Sequence, residues 1–440
     1  MREAERGRLL GYLTGEVPGA GGRLRSAPED FWVEEIPLAS PEGAGEHLYL
    51  WIEKRGVSTL EALRAVGRLL GAAEREAGCA GLKDARAVAR QWLSFRCPGR
   101  DAERALARAG GSPAEGVRIL RVARGRAKLR RGALKGNRFA IRLRGVDAGG
   151  EARARAALSA LEARGVPNAF GDQRFGAHGH SAEVGRALAL GEAGRALGHL
   201  LGEARFAGGA AGADERIREA ARRFEAGDYA GALGLYPPGW EAERRTLGRL
   251  AAGAPPERAV EAIPARERGL FGSALQAAWF NACLALRLER DCHDRLMEGD
   301  VAVNHATGRA RRIGDPAREA AALARFEVSP AGPLLGERTL EARGEAGRIE
   351  AEAAGRLGLA PGPAAAGLAR MGLRGGRRPY RVPLQALEVG REGEDLILRF
   401  TLPPGAYASE VLREVAKVDP PLGARARLRP ARPGGGGGES

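Results

Sequence analysis

The chain predicts an α+β protein, and three observations carry that expectation. Near both ends, short runs alternate apolar and polar residues at the two-residue period of a strand. Between about Gly194 and Arg381 the texture shifts to Ala, Glu, Arg and Gly with helical periodicity. Glycines and capping residues punctuate both kinds of run. At 440 residues, two or three domains and a sizeable core are expected.

In chain order, His47-Leu48-Tyr49-Leu50-Trp51-Ile52 reads as a strand. Ser58 then opens a helix, with Glu61 three residues on as a capping box and Gly71 placed to end it. Leu60, Leu63, Val66 and Leu70 mark its apolar face. Val117 to Val122 is a further β-like run. Arg138 to Arg144 alternates with Phe139, Ile141 and Leu143 on one face. Its other face carries Arg138, Arg142 and Arg144, which suit either RNA or solvent. Ala274, Ala277, Ala278, Asn281 and Leu284 set a helical period. Alternation returns at Leu396 to Leu402, and Ser409 is placed to cap a short helix carrying Val411, Leu412 and Val415. The glycine run 434–438 is expected to lie in a disordered tail over 434–440.

Hydrophobic residues at 44% mark a globular chain, and a net charge of +15 points to a polyanionic partner, RNA or DNA ahead of a membrane. Only five of the 70 basic residues are Lys, at 54, 83, 128, 135 and 417. A GC-rich genome explains Arg in place of Lys, but not the excess of basic over acidic residues. Cys79, Cys97, Cys283 and Cys292 have neither disulfide-framework density nor Cys-x-x-Cys spacing. Buried thiols in a reducing compartment are expected, and Cys292-His293 near Cys283 lacks the paired spacing of a zinc site. With no apolar signal core and no run approaching the length of a membrane span, a soluble cytoplasmic protein is expected.

The stretch richest in chemistry is Gly81-Leu82-Lys83-Asp84-Ala85-Arg86-Ala87-Val88-Ala89-Arg90-Gln91-Trp92. It sets one carboxylate, Asp84, after a glycine turn among the cations Lys83, Arg86 and Arg90. Nearby positive charge favours the ionised acid. Such an acid on an RNA-attracting surface suits nucleophilic attack on an electrophilic sugar carbon. A solvated turn residue is the competing reading. Lys128, Arg130, Arg131 and Lys135 form a basic cluster suited to backbone phosphates, or else a solvated run.

Four further stretches join Gly81–Trp92: Ala27 to Glu35, Leu129 to Asn137, Pro167 to Gly176 and Leu402 to Glu414. In order and spacing the five resemble the D family of tRNA pseudouridine synthases across nearly the whole chain. The resemblance implies a pseudouridine synthase fold: a mixed, largely antiparallel sheet with flanking helices, plus an inserted α+β domain. Residues 1–193 and 382–433 would form the catalytic domain and 194–381 the insertion. It implies a monomer acting on tRNA, with the uridine at position 13 in the D-arm region as target. Asp84 corresponds to the catalytic Asp. Phe170 would stack on the flipped uracil, with Asn168 positioning nearby groups, Phe31 and Tyr407 lining the site, and Arg25 pairing with Asp84. No metal or organic cofactor is implied, and no Walker-type loop or dinucleotide motif stands in the chain. Ala85, Arg86, Ala89 and Ala169 depart from family usage and touch substrate detail rather than chemistry. Two other readings are an inactive tRNA-binding chaperone and a metal-dependent nuclease using Asp84 with Glu34 and Glu35.

Overall fold

The computed structural model describes residues 10–98, 104, 106, 108, 110–176, 178–206 and 214–418. The tail expected at 434–440 lies outside them. Along the chain the strands are β1 (Phe31–Pro37), β2 (His47–Arg55), β3 (Gly78–Cys79), β4 (Val88–Arg96), β5 (Val117–Gly125), β6 (Leu134–Leu143), β7 (Val166–Pro167), β8 (Val301–Asn304), β9 (Ala310–Arg312), β10 (Val328–Leu334), β11 (Gly376–Pro379), β12 (Arg381–Val382), β13 (Gln385–Glu392) and β14 (Asp395–Leu402). Eight of them form the principal sheet in the order β13-β14-β6-β1-β4-β2-β5, with β3 beside β4. Within it β1 and β4 run parallel, and the other pairings are antiparallel. The mixed, largely antiparallel α+β expectation is met.

The helices that cover this sheet are α1 (Thr59–Leu70), α2 (Gly150–Arg164) and, near the end of the described chain, Ala408–Ala416. Ser58 caps α1 with the expected capping box, and Gly71 ends it in the left-handed conformation. Leu63 and Val66 are buried against Leu48, Leu50, Ile52, Leu93 and Phe95, whereas Leu60 is exposed: the buried face turns through Thr59 and Ala62 instead. The alternation of β6 buries Phe139, Ile141 and Leu143 with Leu398 and Phe400 of β14. Leu158 and Leu161 of α2 and Val411 and Val415 of the last helix close this core. Tyr407, not Ser409, occupies the N-cap of that helix, and Ser409 lies one turn position inside it.

The arginine face of β6 is engaged in ion pairs with acids of the same chain. Arg138 pairs with Glu34 at 2.8 Å, Arg142 with Glu392 and Asp395 at 2.5 and 2.9 Å, and Arg144 with Asp30 at 2.7 Å. These three therefore do not form a free surface for RNA.

A second body follows β7. Helices α3 (Ser181–Leu190), α4 (Ala193–Leu201), α5 (Glu215–Glu225), α6 (Tyr229–Leu235), α7 (Glu241–Ala251) and α8 (Pro256–Val260) pack around Leu197, Leu200, Ile217 and Leu247. The long α9 (Ala265–Glu289) then packs through Leu275, Trp279, Phe280 and Leu284 on α11 (Gly344–Arg356) and α12 (Pro361–Arg370); the short α10 (Ala320–Ala324) precedes these. The last helix, Ala408–Ala416, is α13. A four-stranded sheet, β11-β10-β8-β9, completes this body, and β12 returns the chain by pairing with β7. By length and apolarity α9 resembles a membrane span, yet 67% of its most apolar window is buried inside the protein, so it is a core helix. Cys79, Cys97 and Cys283 are buried, as expected, and Cys292 is half-buried.

Candidate active site

The site lies where two parallel strands part. Pairing of β1 with β4 ends at Glu34 opposite Arg90. Two residues on, the Trp92 N–H reaches the Glu35 carboxylate rather than a strand neighbour, at 3.4 Å. The place beside β4 that β1 leaves is taken by β3, with Gly78 opposite Ser94. A side chain at Gly78 would put a carbon 2.3 Å from the Leu129 carbonyl oxygen, so the close approach requires glycine.

The turn from β3 to β4 carries Asp84 and is clamped from two sides. Thr59, at the start of α1, accepts the Lys83 N–H at 2.8 Å and bonds Gln91 Oε1 at 2.9 Å; the Gln91 amide donates to the Gly81 carbonyl at 3.1 Å. Lys83 turns inward to Asn137 Oδ1 at 2.5 Å and Glu35 at 3.6 Å. Burial pushes the Glu35 carboxyl up and the Lys83 ammonium down, each opposed by the other's charge. Neighbouring side chains on an extended segment point opposite ways. Asp84 accordingly faces out, its side chain 38% exposed, and its Oδ2 accepts from Arg25 Nη2 at 3.1 Å. The Arg25 guanidinium lies 4.5 Å over the centroid of the Phe31 ring, a cation–π contact. Phe31 itself is buried against Phe139, with Arg25 on its face.

Of the cations near Asp84 in sequence, Lys83 and Arg90 are committed elsewhere. Arg90 pairs with Glu53 at 2.8 Å and Glu34 at 3.6 Å; Arg86 is exposed. Glu34 and Glu35, the other carboxylates of the nuclease reading, are held by Arg90 and Arg138 and by Lys83 respectively, so they do not gather around Asp84.

A second group of residues forms at the turn after β7. Asn168 is buried: its N–H donates to the Tyr380 carbonyl at 2.8 Å and its amide to the Pro379 carbonyl at 2.9 Å. Phe170 is held by a reciprocal pair of 2.9 Å bonds with the Asn281 amide. Its ring meets Phe280 edge-on at 5.5 Å. The guanidinium of Arg378 lies 4.3 Å from its centroid, and that of Arg174 lies 5.4 Å away. Arg378 also donates to Asn168 O and Oδ1, at 3.1 and 2.5 Å, and to Gly405 O at 3.0 Å. Burial pushes the Arg378 guanidinium down to about 10; the nearby Tyr407 opposes the shift and Arg174 adds to it. Tyr407 is 37% exposed.

The two groups share one end of the sheet. Asn137, which binds Lys83, pairs across β6 and β14 with Leu402, and three residues later Gly405 accepts from Arg378. Arg130, Arg131 and Lys135 are exposed nearby, where the Gly132 N–H donates to the Ala80 carbonyl at 2.8 Å. Lys128 differs, its ammonium donating to the Arg75 carbonyl at 2.6 Å.

Sequence reasoning passed over two residues. Arg378 sits outside the motifs, in a Gly-Arg-Arg-Pro run typical of a turn. Lys54 lies near the end of β2, fully buried, with its ammonium on the carbonyls of Asp84 at 2.5 Å and Val57 at 2.8 Å. The signal available was the scarcity of Lys: where Arg is written almost everywhere, a Lys marks a place a guanidinium does not fit.

A family model described as tRNA pseudouridine synthase D (TruD) matches residues 10–415. The chain belongs to that family. Among curated relatives, the tRNA pseudouridine synthase D of Geobacter sulfurreducens is 46% identical over 409 residues, covering 92% of this chain and 96% of its own. That of Anaeromyxobacter dehalogenans is 40% identical over 419 residues, covering 94% and 98%. A crystal structure from Methanosarcina mazei, provisionally assigned as a tRNA pseudouridine synthase D, superposes with a TM-score of 0.76 at 26% identity. It covers 95% of this chain and 98% of its own. Family membership makes the chain an RNA-directed isomerase.

Proposed function

We propose that this chain isomerises one uridine of tRNA to pseudouridine with Asp84 as the nucleophile. The target expected from the family resemblance is position 13 in the D-arm region. The reaction breaks the bond between uracil N1 and ribose C1′, turns the base, and rejoins it through C5. The proton leaving C5 is balanced by one gained at N1, so no oxidant or reductant is needed. Asp84 serves either by attacking C1′ or by removing the C2′ proton to give a glycal. The observation that carries the reading is a half-exposed carboxylate clamped on a rigid turn, with one cation, Arg25, at 3.1 Å.

The remaining roles follow from position. Flipping a base out of the stack costs a few kcal/mol, and stacking on an aromatic ring returns about 1–3 kcal/mol. Phe170 takes that role, framed by Asn168, with Tyr407 on the opposite loop. Phe31 acts through Arg25, whose guanidinium it supports. Arg130, Arg131 and Lys135 contact tRNA phosphates, with Lys128 behind them. Residues 194–381 overhang the cleft as an inserted domain, supported by the reach of Arg378 to Asn168 and Gly405. The protein acts in the cytoplasm as a monomer.

Incubation of the purified protein with unmodified tRNA, with and without a chelator, tests this. Pseudouridine formed in both tubes supports it. Cleavage abolished by the chelator points to a nuclease, and tight binding with no chemistry to a tRNA-binding chaperone; either would overturn the proposal.

A further inference from the structure

Lys54 is an expensive residue to keep where it is. Its side chain is fully buried in the sheet, and it forms no ion pair with any described carboxylate. An ammonium without a counter-ion in such a place costs far more than the Met or Leu that would fill the same volume. Burial drives its pKa down to about 8; the neighbouring Lys83 adds to that shift, while Asp84 and Glu61 oppose it. What the ammonium touches is the carbonyl oxygen of Asp84 and, on its other side, that of Val57. On the N-terminal side of Asp84, Thr59 holds the Lys83 N–H. Lys54 thereby holds the peptide plane that follows Asp84, while Thr59 holds the plane before Lys83 and lies 3.4 Å from the Lys83 carbonyl, so the turn that aims the carboxylate is held on both sides.

We propose that Lys54 is a positioning residue for the isomerisation: as the ammonium it fixes the Asp84 carbonyl and aims the carboxylate at the ribose. The inference rests on Asp84 being the nucleophile. Only the protonated amine donates to both carbonyls while placing a positive charge beneath the carboxylate. Deprotonation leaves a neutral amine that still has two N–H donors but has lost the charge that strengthens both bonds, so the turn is held more weakly. The active form is therefore present below about pH 8 and is lost as pH rises through that value. A guanidinium at this position would be held charged throughout, but it needs more room and five donors satisfied.

The test is single-turnover pseudouridine formation on saturating unmodified tRNA across neutral to alkaline pH, for the wild type, Lys54→Met and Asp84→Asn. The wild-type rate should fall with a midpoint near pH 8. Lys54→Met should lose about 10²-fold at neutral pH, the scale of a misaimed reacting group. Its KM should stay within twofold, and the residual rate should lack the fall near pH 8; that comparison separates Lys54 from titrations of the RNA. A wild-type rate flat through pH 8, or a Lys54→Met variant with the wild-type rate or the same alkaline fall, overturns the proposal. Should Lys54→Met fail to fold, Lys54→Gln, which keeps a donor without the charge, takes its place in the same comparison, with the same loss of rate and of the alkaline fall expected. An active Asp84→Asn would instead defeat the nucleophile assignment itself.

Discussion

Arg25 delivers its charge to Asp84 from a backbone with φ 55°, the left-handed region that costs a non-glycine residue about 1–2 kcal/mol. The surrounding contacts hold it there, with the guanidinium between the Phe31 face and the carboxylate. Both partners are about one-third exposed, so the pair adds less than about 1 kcal/mol to stability. Arg25→Met should therefore leave urea unfolding nearly unchanged while lowering kcat about 10²-fold through loss of alignment, and Arg25→Lys should recover part of it. At Phe170, Phe170→Tyr should stay close to wild type while Phe170→Ala loses about 1–3 kcal/mol of transition-state binding, read as kcat/KM. Equal rates for the two would place the ring in the core rather than against the base. The Arg25–Asp84 pair expected from the family resemblance is present at 3.1 Å. Asp84, Asn168 and Phe170 could be singled out in the sequence because they stand in stretches that resemble the family's, with Arg25 just ahead of one. Lys54 and Arg378 could not, because depth of burial and a bond to a backbone carbonyl leave no local pattern.

At the scale of elements, the helix α1, the strands β2, β6 and β14 and the helix α9 were readable from period and caps, since those signals are local. The parting of β1 from β4, which makes the site, was not: it is set by register between distant segments, and by one buried pair, Glu35 and Lys83. Removing one partner strands the other, so Lys83→Met should cost about 3–5 kcal/mol. Adding Glu35→Met should return much of that loss in denaturant titration; a strictly additive double variant would contradict the pairing. Helix α13 carries a pH dependence of its own. Glu410 is buried beside Glu414 and Asp172, and burial raises its carboxyl to about 7 against the opposing charge of Arg413. A raised acid stabilises the fold below its unfolded value and loses that contribution as pH rises through about 7. The Tm of wild type should fall between about pH 5 and 8 relative to Glu410→Gln, by up to about 3 kcal/mol in stability. Parallel curves for the two would remove Glu410 as the cause.

For the whole molecule, the 70 basic residues overstate the cations free to meet RNA, because arginines such as Arg138, Arg142 and Arg144 are paired with acids of the fold, pairs that already cancel within the net charge of +15. The sequence showed the basic excess but not its pairing, which depends on strands brought together late in the chain, such as β13 and β14. Replacing Arg130, Arg131 and Lys135 by Ala should reduce the dependence of log K on log salt by about two to three units for tRNA binding. Replacing Arg138 and Arg142 should leave that slope unchanged; the opposite pattern would move the RNA track onto the β6 face. Whether the Asp84 carboxylate carries pseudouridine formation is read in the cell. Pseudouridine is mapped across tRNA from a strain lacking the gene, and again after complementation with wild type or Asp84→Asn. One uridine should be left unmodified in the deletion, with position 13 the expected site, restored by the wild type and not by Asp84→Asn. Restoration by the Asn variant, or tRNA indistinguishable with and without the gene, would contradict the proposed function.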